Sequence, residues 1–281
     1  LGNELPIFVA SSLLEIFRKF LRYSLIALAD NTARSFPNSG LKDNFEGAQG
    51  GLMTPFSKLD VLTAMKNGGL IPVFNHPNLV TCQQIVVAVE AAGCQLGEFT
   101  IRGEFPLVTF GELSMWVRKT YPKFMLGAGS VQDGETAVSL IHNSATFIVG
   151  PLNNLSIIKA CNRYGVLGIP GCMTPTEFQT AMEAGCNPTK YFPGGIGGPQ
   201  FLSALRGPCP QVDVIPTGKT NPDNATEWIK AGAFALGMGT ELFSTTLDGK
   251  KVNLIATGDY AAITLRIKEV LETIRAARGD K

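Results

Sequence analysis

The sequence predicts a single α/β domain, a (β/α)8 barrel with an N-terminal extension. Three observations lead there. From Gly69 onward, short apolar runs that read as strands alternate with longer runs of helical periodicity. Eight such alternations fill about 210 residues, which calls for parallel strands joined by right-handed crossovers. The regular patterning starts only near Met53, so residues 53–281 form the domain, close to the ~250 residues typical of one such barrel. An open doubly wound sheet is the alternative for the same alternation.

The first segment, residues 1–52, differs in character from the rest. Leu13, Ile16, Phe17, Phe20 and Leu21 suit an amphipathic helix, and a Gly/Asn/Asp-rich linker runs on to Gly51. Glu15, Arg18, Lys19 and Arg22 interrupt the apolar run of about 20 residues that a membrane span needs. The basic residues before YSLIALA resemble a signal peptide only faintly. Met53 reads as a native start, with a docking helix for the same protein or a partner as the alternative use of the extension. A helix over Ser57–Asn67 should then cap the bottom of the barrel.

The expected strands are Leu70–His76, Gly97–Arg102, Phe124–Ser130, Thr146–Pro151, Val166–Gly171, Thr189–Gly194, Val212–Gly218 and Phe234–Gly239. CQQIVVAVEAAG after the first and NLSIIKACNRYG after the fourth show the helical pattern between them. Reacting groups of such barrels sit at the carboxyl ends of strands. Ser130, Pro151, Thr217 and Gly218 fall there, while Glu98, Arg102 and Lys190 lie on strands.

Composition narrows the partners. Lys plus Arg number 24 against 23 Asp plus Glu, a net charge of +1. No basic excess marks a nucleic-acid surface. The six cysteines show no metal-ligand or C-x-x-C spacing, which fits free, mostly buried thiols in a reducing, cytoplasmic compartment. With only His76 and His142 present, a multi-histidine metal site cannot be built. Neither a metal nor a cofactor is expected.

Side chains alternate along a strand, so Glu98, Thr100 and Arg102 should share one face and Phe99 and Ile101 the other. Four residues span about 13 Å, leaving room for a small substrate between carboxylate and guanidinium. An internal salt bridge is the plainer reading. Lys190 alternates with Phe192, and an amine facing the interior beside a ring and Arg102 would have a lowered pKa. That would free it to form a Schiff base with a carbonyl, whereas a solvent-facing lysine on a strand end would do nothing of the kind. PTGK (Pro216–Lys219) and GMGT (Gly237–Thr240) end the last two strands, where glycine-rich turns often bind phosphate. Thr217, Gly218, Lys219, Gly239 and Thr240 are its candidate contacts. His76 reads as a structural hydrogen-bonding residue, with substrate contact at the end of the first strand as the alternative; Asn153, Asn221 and Asp223 read as caps or turn residues, and Trp116 and Trp228 as packing residues.

EFTIRGEF, LGAGSV, FIVGP, IPGCMTPTE, KYFPGG, IPTG and GMGTEL, in that order and spacing, resemble the class I aldolases that cleave 2-keto-3-deoxy-6-phosphogluconate (KDPG) and 4-hydroxy-2-oxoglutarate (KHG). The resemblance runs from about Lys58 to the C-terminus. It implies that Lys190 is the Schiff-base lysine and Glu98 the acid/base carboxylate. Arg102 and Ser130 would hold the substrate carboxylate, Ser130 standing where many members have Thr. Pro151 and Phe192 complete the expected substrate contacts. Lys219 stands where many members have glycine, which either strengthens phosphate binding or marks an altered pocket. The resemblance also implies pyruvate as a product, no metal and a homotrimer. A phosphosugar isomerase or epimerase would use the same phosphate loops without a lysine nucleophile, and a non-catalytic metabolite-binding barrel would need neither.

Overall fold

A computed structural model describes residues 54–279. The expected N-terminal amphipathic helix and Met53 lie outside these residues. Helix α1 (Lys58–Gly68) opens the fold, within one residue of the expected span. Its start is set by a capping box: the Ser57 hydroxyl accepts from the Asp60 amide, and the Asp60 carboxylate accepts from the Ser57 amide. Then follow β1 (Leu70–Phe74), α2 (Leu79–Ala91), β2 (Leu96–Thr100), α3 (Pro106–Thr120), β3 (Met125–Gly129), α4 (Gly134–His142), β4 (Phe147–Val149) and α5 (Leu155–Tyr164). The second half contains β5 (Leu167–Ile169), β6 (Gly171–Cys172), α6 (Pro175–Glu183), β7 (Thr189–Tyr191), α7 (Gly198–Arg206), β8 (Val214–Pro216), α8 (Ala225–Lys230) and β9 (Leu236–Met238). A hairpin of β10 (Ser244–Leu247) and β11 (Lys250–Asn253) precedes the last helix, α9 (Tyr260–Arg278).

The strands form a barrel-like α/β arrangement of two parallel sheets, ordered β5-β4-β3-β2-β1-β9 and β6-β7-β8. Backbone hydrogen bonds cross both gaps. The Lys190 amide donates to the Pro170 carbonyl at 2.9 Å, and the Phe234 amide donates to the Val214 carbonyl at 2.8 Å. Thr217 and Gly237 also form an isolated parallel bridge. Pro170 explains why the expected fifth strand is split into β5 and β6: proline has no N–H to give to a ladder.

Two apolar layers result from alternation along the strands. Phe74, Phe99 and Leu126 point outward into the large core shared with the helices, where the Phe74 and Phe99 rings meet edge-on at 5.8 Å. Ile71, Leu96, Met125, Phe147, Leu167 and Ile215 point inward and pack with Val61 and Met65 of α1. Thus α1 plugs one end of the inner core, as the sequence suggested. The other end is lined by polar side chains.

Two expectations need correction. Strand β2 stops at Thr100, so Arg102 does not continue the alternation of Glu98 and Thr100. The Arg102 amide donates to the Thr100 carbonyl at 3.0 Å, turning the chain out of the sheet. The β10–β11 hairpin was also not expected, although its Leu247-Asp248-Gly249-Lys250 stretch carries an Asp-Gly turn signal. Asp248 and Gly249 both take positive φ, 49° and 75°, as a tight primed turn requires.

Candidate active site

Glu98 and Lys190 come together from β2 and β7 at the polar end of the inner core. Their Oε1 and Nζ atoms are 3.9 Å apart, and both residues are buried, 2% and 5% exposed. Oε1 of Glu98 has no hydrogen-bond partner among the described residues. Burial raises the Glu98 pKa above the ordinary carboxyl value, and the charges of Lys190 and Arg102 only partly oppose that. A buried carboxyl with an unsatisfied oxygen beside a buried amine can exchange protons with a small molecule held between them. The Phe192 ring lies 5.1 Å from the lysine nitrogen, so these two side chains do share the inner face.

Two glycines make room for this constellation. A Cβ at Gly129 would overlap Oε1 of Glu98 and stand 2.5 Å from its Cδ. The Glu98 side chain therefore occupies the space that Gly129 leaves empty on neighbouring β3. A Cβ at Gly237 would likewise collide with the Thr217 hydroxyl. Sequence reasoning passed over both, because the need for glycine arises from a neighbour across the sheet.

A cavity of about 490 Å³ surrounds the pair. Arg102, Phe192, Thr217, Gly218, Lys219, Gly239 and Thr240 all line it, together with Glu98 and Lys190. Ser130 reaches it indirectly: its hydroxyl accepts from Nε of Arg102 at 2.9 Å. Pro151, expected among the substrate contacts, is not among the lining residues. It packs instead against Gly171, where an added Cβ would stand 2.7 Å from the following Leu152 nitrogen. His76 also stays outside the lining, and its Nδ1 accepts from the Asn78 amide at 3.1 Å, the structural role expected.

The ends of β8 and β9 form the far wall. Gly218 and Lys219 both have positive φ, 88° and 62°. For a non-glycine residue that conformation costs about 1–2 kcal/mol. No protein acceptor among the described residues takes the backbone N–H groups of Gly218, Lys219, Gly239 or Thr240. Turns whose backbone N–H groups are left unpaired can offer them to an anion. Thr220, buried just behind, donates to the Gly237 carbonyl at 2.5 Å and ties the two turns together.

Sequence reasoning missed Asn75, Glu241, Asn253 and Ile255, which also line the cavity. Glu241 accepts from Lys251 of the hairpin at 2.7 Å. That bond, with weaker help from Lys219 and Arg266, keeps its carboxyl below the ordinary range. Asn253 ends the hairpin and Ile255 follows it, so missing the hairpin meant missing that side of the cavity. Among the described residues no cluster of three or more His, Cys, Asp or Glu stands ready for a metal, and five of the six free cysteines are buried.

Comparison with known proteins fits this geometry. Over 122 residues the chain is 36% identical to the 2-dehydro-3-deoxy-6-phosphogalactonate aldolase of Escherichia coli K12, a match covering 43% of this chain and 60% of that protein. Over 217 residues it is 27% identical to a 2-dehydro-3-deoxy-phosphogluconate aldolase of Treponema pallidum, covering 77% of this chain and 98% of the relative. A KDPG aldolase structure from Legionella pneumophila, with pyruvate captured as a covalent carbinolamine, shares the fold at a TM-score of 0.66 and 23% identity, covering 74% of this chain and 97% of that one. The family model for KDPG and KHG aldolases matches residues 61–266. That span includes β2 and β7, which carry Glu98 and Lys190, and the turns that follow β8 and β9, and the chain belongs to the KDPG and KHG aldolase family.

Proposed function

We propose that this protein is a class I aldolase that cleaves KDPG, KHG or both to pyruvate and an aldehyde through a Schiff base on Lys190. The observation that carries the reading is the buried Lys190–Glu98 pair, 3.9 Å apart, between a guanidinium and a pair of anion-binding turns. A barrel that only bound metabolites would have no use for an amine and a carboxyl desolvated together.

The chemistry follows from the groups present. The unprotonated Lys190 amine adds to the C2 carbonyl of a 2-keto-4-hydroxy acid, and water leaves to give an iminium. The Glu98 carboxylate takes the C4 hydroxyl proton as the C3–C4 bond breaks. The bond's electron pair flows into the iminium, giving an enamine and a free aldehyde. Protonation at C3 and hydrolysis then release pyruvate and restore the amine. Arg102, oriented by Ser130, binds the C1 carboxylate. Thr217, Gly218, Lys219, Gly239 and Thr240 hold the anionic far end. No step needs a metal.

Several broader points belong to the same proposal. The two sheets read as one closed (β/α)8 barrel, supported by the bonds across Pro170 and between Phe234 and Val214. The domain is taken as residues 53–281, the preceding 52 as an appendage. A cytoplasmic setting is drawn from the cysteine usage, and no helix among the described residues is long and apolar enough to cross a membrane. Self-association as a homotrimer is drawn from the family resemblance, and exposed Phe105, Val108 and Met115 on and beside α3 supply apolar surface for it.

The test is turnover of both substrates, followed by pyruvate release, in wild type and Lys219→Gly. Cleavage of either in wild type is expected, with KM for KDPG raised severalfold in the variant and KM for KHG changed less. Failure to release pyruvate from both would overturn the reading. Equal substrate preference in the two proteins would remove the role given to the Lys219 side chain.

A further inference from the structure

Asn75, the residue after β1, has no role in the chemistry above, yet it lines the cavity. Its Nδ2 donates to the Thr100 carbonyl at 2.7 Å and to the Arg102 carbonyl at 3.1 Å. A carboxamide nitrogen has two N–H donors, and both are used here. Because both partners are carbonyl oxygens, the nitrogen and not the oxygen of the amide must face them.

The segment it grips is the one that leaves β2. Ile101 keeps one bond to the sheet, its amide donating to the Gly129 carbonyl at 2.8 Å. The Arg102 amide then folds back on Thr100, and Gly103 follows with a φ of 84°. Beyond Ile101 no ladder holds the chain, and Arg102 is exposed at the cavity rim. Two anchors fix it: Ser130 on the guanidinium and Asn75 on the backbone. A long side chain on a loose turn would lose more conformational freedom when it closes on a ligand.

We propose that Asn75 is a positioning residue for Arg102, setting the turn so that the guanidinium faces the carboxylate of the bound keto acid. This rests on the assignment of Arg102 to that carboxylate in the proposed aldolase reaction.

The test titrates pyruvate against borohydride-trapped adduct in the full chain, comparing wild type, Asn75→Leu, Arg102→Met and the double variant. Leucine is close to asparagine in size but donates nothing. Loss of two hydrogen bonds that orient a charged group is expected to raise half-saturating pyruvate roughly tenfold in Asn75→Leu. The saturating level of adduct should be retained, and the substitution should add less than about twofold in the Arg102→Met background. Asn75→Ser, which keeps one donor of shorter reach, should fall between and serves if leucine prevents folding. A raised half-saturation in Arg102→Met with none in the folded Asn75 variant overturns this inference alone. So does an Asn75→Leu effect of full size without Arg102. An unchanged half-saturation in Arg102→Met overturns it together with the assignment of Arg102, and locates the fault there.

Discussion

Replacing Gly129 with alanine adds one methyl group at the crowded point of the site. The new Cβ would overlap Oε1 of Glu98 and lie 2.5 Å from Cδ and 2.7 Å from Cγ of the same side chain. The backbone of Gly129 does not yield easily. Gly129 is held in register opposite Thr100 on β2, and its carbonyl accepts from the Ile101 amide. Glu98 must therefore retreat by about 1 Å, a misplacement that costs on the order of 100-fold when it befalls a reacting group. Overpacking of this kind also destabilises by about 1–3 kcal/mol, or roughly 3–10 °C in melting temperature for a domain of this size. The assay pairs a thermal melt with steady-state cleavage and borohydride trapping of pyruvate. Cleavage should fall about 100-fold, while Lys190, on a separate strand, still forms adduct. A variant with wild-type cleavage and an unchanged melting temperature would refute the placement of Glu98 against Gly129.

Two further outcomes follow from the same geometry. Burial raises the Glu98 pKa, so the folded state binds this proton more tightly than the unfolded chain. Its contribution to stability is complete below the ordinary glutamate pKa and is lost as pH rises through the raised value; wild type should thus lose melting temperature relative to Glu98→Gln over that window, and a pH-independent difference would contradict it. Ser130→Ala removes the acceptor for Nε of Arg102, so KM for the keto acid should rise severalfold with little change in kcat, whereas a fall confined to kcat would place Ser130 elsewhere in the reaction.

Much of this fold was legible because its strands are short, nearly continuous apolar runs between longer helical stretches, and side chains along a strand point alternately to its two faces. Phe99 facing out and Glu98 facing in follow directly from that alternation, as does the sharing of one face by Lys190 and Phe192; which face that is came only with the fold. The same rule failed at Arg102, because the strand ends two residues sooner and a turn held by Asn75 replaces it. Pro170 broke a strand for a reason visible in the sequence. The hairpin carried a visible Asp-Gly signal too, but its exposed Lys250 and Lys251 give no apolar alternation to draw notice. The requirement for glycine at Gly129 and the hold of Asn75 on two carbonyls depend on residues brought near only by the fold. No local pattern encodes them.

The central claim is that Lys190 is the nucleophile. Incubation with pyruvate, reduction with borohydride and peptide mapping by mass spectrometry tests it directly. The expected result is one pyruvate-derived mass increment, on the peptide containing Lys190 and absent from Lys190→Met. A protein that cleaves its substrate yet takes up no such adduct, or takes it up on another lysine such as Lys219, would contradict the mechanism.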